Sequence, residues 1–375
     1  MTTWVLLSLL SALLLGTRSN GLGIVAPKVM IVTMFDSEAG AWFNIPEFNL
    51  LAQNITIPGF SPLYPDVHCT ADGMVCLLIT GQAEINAAST LSSLMYSRSF
   101  NLTQTYFLVS GIAGVNPKVA TIGTVTFAKY AVQVALQYEF DAREIPAQFS
   151  TGYFPQGSKA PGQAPGWWDG TEVYEVNDAL RQKAIAFAKT AKLYDTSDAQ
   201  ALRKLYSTSP AYAPAAAPPT VLLCDTATSD TYWSGDLLGK MVEDTMRVFT
   251  NGSAEYCTTQ QEDNATLNAL MRAALFHLVD FSRVIVMRSA SDFDRPHAGE
   301  DAVTSLLGPA PGFGPALLNL RLAGVKVVQG IVSGWNSTFA QGIKPTNYIG
   351  DVYGSLGGNP DFGPGSLFGG KPARA

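Results

Sequence analysis

Acidic residues follow two short apolar runs in this chain, and their placement is the first sign of chemistry. Asp36 and Glu38 come directly after one run, in VMIVTMFDSEAGAWF, and Ser291 and Asp292 end another, SRVIVMRSASDF. If both runs are strands of an open α/β sheet, these residues collect at its carboxyl edge, where such folds bind ligands. A half-buried carboxyl there can be held protonated by desolvation and donate a proton, whereas an ionised one can orient a water. The competing reading of each acid is a residue that caps the helix after it. Between the two runs, YFLVSGIAGVNP places Gly111 and Gly114 past a third apolar run, freeing backbone amides to approach a ligand.

Elements able to position these residues are legible in the apolar pattern. Residues 28–34, 74–80, 106–110 and 284–287 are short runs rich in β-branched side chains. Continuous apolar strands of this kind suit a sheet covered on both faces. Helix-like stretches lie at 84–99, 177–190, 236–250 and 265–280. This alternation predicts an α/β fold with three α/β/α layers around a central mixed, mostly parallel sheet. Segments 154–168 and 207–219 are Pro/Gly/Ala-rich and read as loop insertions, and 354–375 reads as a disordered Gly/Pro-rich tail.

Composition narrows the function. The 375 residues carry 24 Lys and Arg against 30 Asp and Glu, and only 14% are charged. An acidic chain with scattered cations lacks the basic stripe that a nucleic-acid binder needs. Three histidines, with no CxxC pair and no HExxH, leave little for a metal site, and no metal or cofactor is expected. At 47% apolar, the chain has ample material for one large domain, assigned to 20–353.

The apolar run at 4–16 is too short to span a bilayer, which takes about 20 residues, and reads as part of a signal peptide over 1–19. Its n-region carries no Lys or Arg. Beyond it no apolar stretch of about 18 residues is free of charge, so no transmembrane span is expected. Sequons at Asn54, Asn101, Asn251, Asn264 and Asn336 and an even number of cysteines agree with a secreted or cell-surface, wall-associated protein. In VHCTADGMVC a two-residue Asp72-Gly73 turn would set Cys69 opposite Cys76 at a hydrogen-bonded position, where side chains lie farther apart. That pairing is therefore not favoured over Cys224–Cys257, and free buried thiols stay open.

Four segments taken in order resemble the nucleoside phosphorylase and nucleosidase superfamily. Its strand, G-x-A-G-G, spacer and V-G-D pattern is similar to Ser110-Gly-Ile-Ala-Gly114, a spacer, then Ile122-Gly123-Thr124, with Thr in place of the Asp. DTATSDTYW resembles the element whose aromatic stacks on the base, QQEDNATLNAL the helix start whose Glu binds ribose hydroxyls, and SASD the segment whose Asp handles the purine. Across about 27–353 the chain more closely resembles the fungal purine nucleoside permease family, through MFDSEAGAW, GIAGVNP, DTATSDTYW, TTQQEDNATL and MRSASDFDRP.

The resemblance implies a nucleoside phosphorylase-like fold and a purine nucleoside ligand. It makes Tyr232 the base-stacking residue with Trp233 beside it, Glu262 the ribose-binding residue, and Asp292, next to Ser291, the acid at the purine. Glu38, or failing that Asp36, would then handle a water on the far face of the ribose. If Glu262 lies in the pocket, the sequon at Asn264 is one helix turn inside it and carries no glycan. MFDSEAG and SGIAGVNP hold no Arg for phosphate, and Lys118 is the one nearby cation, so water is favoured as acceptor; Arg143, Arg288 and Arg295 remain able to fold back. The alternatives are phosphorolysis, or a non-catalytic component of nucleoside uptake. A homo-oligomer stays open.

Overall fold

The computed structural model describes residues 23–360; the expected signal peptide and residues 361–375 of the expected tail lie outside them. In chain order the strands are β1 (Val29–Thr33), β2 (Gln53–Thr56), β3 (Asp66–Cys69), β4 (Val75–Ile79), β5 (Tyr106–Val115), β6 (Val125–Ala128), β7 (Tyr130–Gln133), β8 (Gln137–Glu139), β9 (Tyr153–Pro155), β10 (Val173–Glu175), β11 (Val221–Leu223), β12 (Asp225–Thr228), β13 (Tyr256–Gln260), β14 (Val284–Phe293) and β15 (Gly350–Asp351). The helices are α1 (Asp36–Trp42), α2 (Glu84–Met95), α3 (Asp178–Ala188), α4 (Ser197–Tyr206), α5 (Asp236–Phe249), α6 (Asp263–Leu275), α7 (Ala302–Leu307) and α8 (Phe313–Ser333).

Among the described residues, thirteen strands form one mixed sheet, and β8 with β9 makes a separate ribbon. Its centre is parallel: β4, β1, β5 and β14 run side by side in one direction. Strand periodicity sorts their side chains into two layers. Met30, Val32, Cys76, Leu78, Phe107, Val109, Val284 and Val286 face the core formed with α2 and α6. Val29, Ile31, Val75, Leu77, Tyr106, Leu108, Ile285 and Met287 face the opposite core, formed with α1, α3 and α8. The fold is therefore α/β/α, as the strand–helix alternation predicts.

Four features depart from the sequence reading. β5 and β14 each run for ten residues, through the glycine segment and through Ser291-Asp292, because the two strands pair along nearly their whole length. α8 is missing from the predicted helices because its glycines weaken helix propensity. Gly324 and Gly330 are nonetheless where the rings of Trp42 and Phe187 press against it. By length and composition α8 is apolar enough to cross a membrane, yet here it packs along the sheet as a core helix. The insertion at 207–219 contains a 3-10 helix over Pro210–Ala216. The first residues of the expected tail are ordered as well: Ser355 bonds Asp351, and Leu356 packs on the α2/α6 core.

Both disulfides form, Cys69–Cys76 and Cys224–Cys257, so neither pairing is favoured over the other and all four thiols are paired. The β3–β4 turn is longer than two residues. Thr70 and Val75 are hydrogen-bonded across it, which moves Cys69 and Cys76 to a non-hydrogen-bonded pair with Cα atoms 4.1 Å apart.

Candidate functional site

A cleft of about 440 Å³ opens past the end of β1 and beside the last residues of β5, β13 and β14. Of the residues singled out from the sequence, it gathers Glu38, Gly114, Tyr232, Glu262, Ser291 and Asp292. Each is delivered by a different local device.

Glu38 lies in the first turn of α1 and is 1% exposed. Its Oε2 accepts from the Met34 amide at 2.7 Å, a variant of the capping box in which the acid reaches back past the cap. Its Oε1 accepts from the Ile112 amide of β5, also at 2.7 Å. Burial pushes its pKa from the ordinary 4.5 up to about 8; Arg288 opposes that shift and Glu262 adds to it. Asp36 does not join the site. Two positions apart on a helix is a rotation of about 200°, so when Glu38 faces the cleft Asp36 faces solvent, where it accepts from the Tyr64 hydroxyl at 3.3 Å.

Ser291 and Asp292 both reach the cleft because β14 bulges. Ala290 pairs with Ala113 and Asp292 with Gly114, leaving Ser291 as the extra residue. Asp292 Oδ1 is 2.5 Å from Ser291 Oγ, and Oδ2 accepts from the Tyr232 hydroxyl at 3.2 Å. Ser291 Oγ is also 3.1 Å from the Ala113 carbonyl oxygen. The serine has one hydrogen for two acceptors. A protonated Asp292 resolves the conflict by donating to Ser291 Oγ while the serine donates to Ala113. Burial drives the Asp292 pKa upward, and hydrogen bonding with Ser291 and Tyr232 opposes that shift.

Glu262 is 4% exposed at the start of α6. It accepts from the Ala83 amide at 3.1 Å through Oε1 and from Arg288 Nη2 at 3.2 Å through Oε2. Burial raises its pKa, and Arg288 pulls the other way.

Arg288 emerges as the centre of the site. It turns inward, at 2% exposure. It donates to Asp263 Oδ1 at 2.6 Å, to Glu262 and to the Ile112 carbonyl at 3.1 Å. Burial works against its charge, but Asp263, Glu262 and Glu38 hold it on. Position 288 precedes Asp292 by four on one strand, which was the available signal. Arg143 instead pairs with Asp141 on an exposed loop, Arg295 is buried against Asp294 and Glu243, and Lys118 bonds Glu243 at 3.0 Å. Among the described residues Arg288 is thus the one cation lining the cleft, and carboxylates already occupy it.

The two glycines act by close approach. A side chain at Gly111 would meet Arg288 Nη1, Glu38 Oε1 and the Met34 sulfur, so Gly111 lies beneath the site and lets those groups pack on β5. At Gly114 a Cβ would stand 3.0 Å from Thr259 Cγ2 and 3.5 Å from Asp292 Oδ2. Trp233 turns away from the cleft into the apolar cluster with Met241, Val242 and Phe249. Thr124, where the superfamily pattern has Asp, is buried and accepts from the Thr220 amide at 3.3 Å. Gln82, Gln260, Ala310 and Phe313 line the cleft without any signal in the sequence pattern. Asn264 is buried and donates to the Thr171 carbonyl at 2.7 Å, so a glycan has no room there.

Residues 26–344 match the profile described as purine nucleoside permease. A purine nucleoside permease of Candida albicans is 43% identical over 347 residues, 91% of this chain and 84% of that one. A probable purine nucleoside permease of Schizosaccharomyces pombe is 41% identical over 336 residues, 86% of this chain and 93% of that one. Among solved structures, a 5'-methylthioadenosine/S-adenosylhomocysteine nucleosidase from Neisseria meningitidis overlays with a TM-score of 0.46 at 14% identity, covering 83% of this chain and 99% of that one.

Proposed function

The chain belongs to the purine nucleoside permease family, and we propose that it is a secreted purine-nucleoside-recognising protein that cleaves the N-glycosidic bond with water as acceptor. The observation that carries this reading is the pair of unlike carboxyl groups in one cleft. Asp292 sits in a hydrogen-bonding arrangement that suits its neutral form, and Glu38 is a buried base between two backbone amides. Pairs of acids whose surroundings set them to different tasks are a mark of acid–base catalysis.

The chemistry follows from those positions. Asp292 gives its proton to an imidazole nitrogen of the purine as the C–N bond breaks, and the bonding electron pair leaves with the base. The ribosyl ring is left with cationic character. Glu262 accepts from the ribose 2′- and 3′-hydroxyls, and its charge favours that cation. Glu38 takes a proton from water as its oxygen bonds to C1′, and the products are free base and ribose. Arg288 keeps Glu38 and Glu262 side by side at tolerable cost.

Phosphate is the weaker acceptor. An incoming phosphate would meet Glu38, Glu262 and Asp292, with no uncommitted cation among the described lining residues to receive it. Secretion is supported by the two disulfides and by exposed sequon asparagines at 54, 101, 251 and 336. The names of the relatives favour a second reading, in which the same cleft binds nucleosides for uptake and performs no chemistry. The two separate on incubating the purified protein with adenosine, inosine and guanosine, with and without phosphate, and measuring free base. Base release without phosphate supports hydrolysis. Release that requires phosphate contradicts it, and calorimetric binding without release favours uptake.

A further inference from the structure

We propose that Gln260 is a positioning residue for the ribose-binding carboxylate Glu262, an inference that rests on the functional reading above. Glu262 occupies the N-cap position of α6 yet makes no capping bond with its side chain. The amides at a helix start need acceptors, and an acid at this position ordinarily turns back to supply them. Here Gln260 meets the first two of these amides, and the next, that of Asn264, donates to Thr228 Oγ1 at 3.4 Å. Gln260 Oε1 accepts from the Glu262 amide at 2.7 Å and from the Asp263 amide at 2.8 Å. Because backbone N–H groups only donate, these two contacts fix which end of the amide is oxygen.

The other end of the side chain is anchored as firmly. Gln260 Nε2 donates to Thr228 Oγ1 at 2.8 Å and shares its second hydrogen between Thr226 Oγ1 and the Ala227 carbonyl at 3.2 Å each, all on β12. Oε1 also receives Arg288 Nη2 at 3.3 Å. Gln260 is 6% exposed at the last position of β13, so little water competes for these bonds.

The consequence falls on Glu262. Relieved of capping, its carboxyl is held by the Ala83 amide and by Arg288 and faces the cleft. A neutral amide performs this without adding an acid beside Glu38, Glu262 and Asp263. Without Oε1, the Glu262 carboxyl becomes the nearest acceptor for the open amides of α6 and is drawn away from the ribose.

The test compares kcat/KM for a purine ribonucleoside with that for its 2′,3′-dideoxy counterpart, in wild type, Gln260→Ala, Gln260→Glu and Glu262→Ala. The expected result is a ribose preference that falls about tenfold in Gln260→Ala, the scale of one lost hydrogen bond to a charged group. Gln260→Glu keeps an acceptor for the helix amides, so the preference persists, while the added charge moves the acid limb of the pH profile upward. A wild-type preference in Gln260→Ala, alongside a collapsed one in Glu262→Ala, overturns the inference and leaves the functional reading standing. An unchanged preference in Glu262→Ala overturns both. If Gln260→Ala does not fold, Gln260→Glu decides: an unmoved acid limb contradicts the proposal.

Discussion

Tyr232 and Asp292 meet through one hydrogen bond, the phenol donating to Oδ2 at 3.2 Å. The aromatic expected to stack on the base thus also steadies the acid expected to protonate it. With Ser291 on the other oxygen, Asp292 is held from both sides, and one face of its carboxyl remains toward the cleft.

Asp292→Asn keeps the shape and the Tyr232 bond but removes the transferable proton. Base release should fall by about 10²–10⁴, the usual contribution of a general acid. Nucleoside binding measured by calorimetry should persist. Undiminished release would remove Asp292 from the chemistry.

If the cleft hydrolyses nucleosides as proposed, Glu38 sets the pH dependence. Its pKa of about 8 lies above that of a free carboxyl, so the base form grows as pH rises. At pH 7 about a tenth of it is ionised. Base release should therefore increase with pH through about 8, and Glu38→Gln should lower the rate and abolish that limb. A flat wild-type profile between pH 6 and about 8 would contradict the assignment.

Gly111→Ala tests the packing beneath the site. The added methyl collides with Arg288 Nη1 and crowds Glu38 Oε1, both nearly buried. Overpacking of this kind costs about 1–3 kcal/mol. Thermal unfolding should report that loss together with weakened base release. A variant with wild-type stability and activity would show that the two groups have room to shift.

The apolar strands and their edge were legible because a buried parallel centre writes itself as continuous Val, Ile and Leu. Glu38 and Asp292 were legible for the same reason: each comes just past such an apolar run, β1 for Glu38 and the first half of β14 for Asp292. What stayed hidden depends on contacts between distant segments. Asp36 and Glu38 differ by a rotation about α1 that only packing selects. The length of β5 and β14 comes from their mutual pairing through glycines that read as a loop. The Cys69–Cys76 pair depended on turn length, which VHCTADGMVC leaves ambiguous. Gln260 carries no signal of its own, since its role exists only where β12, α6 and Arg288 meet.

On the proposed reading, this cleft breaks an N-glycosidic bond with water. The most direct test is to run the reaction on a purine nucleoside in heavy-oxygen water and weigh the sugar by mass spectrometry. Hydrolysis yields free base and ribose that carries the heavy oxygen at C1′. Ribose 1-phosphate, or intact nucleoside after prolonged incubation with wild-type protein, would contradict it.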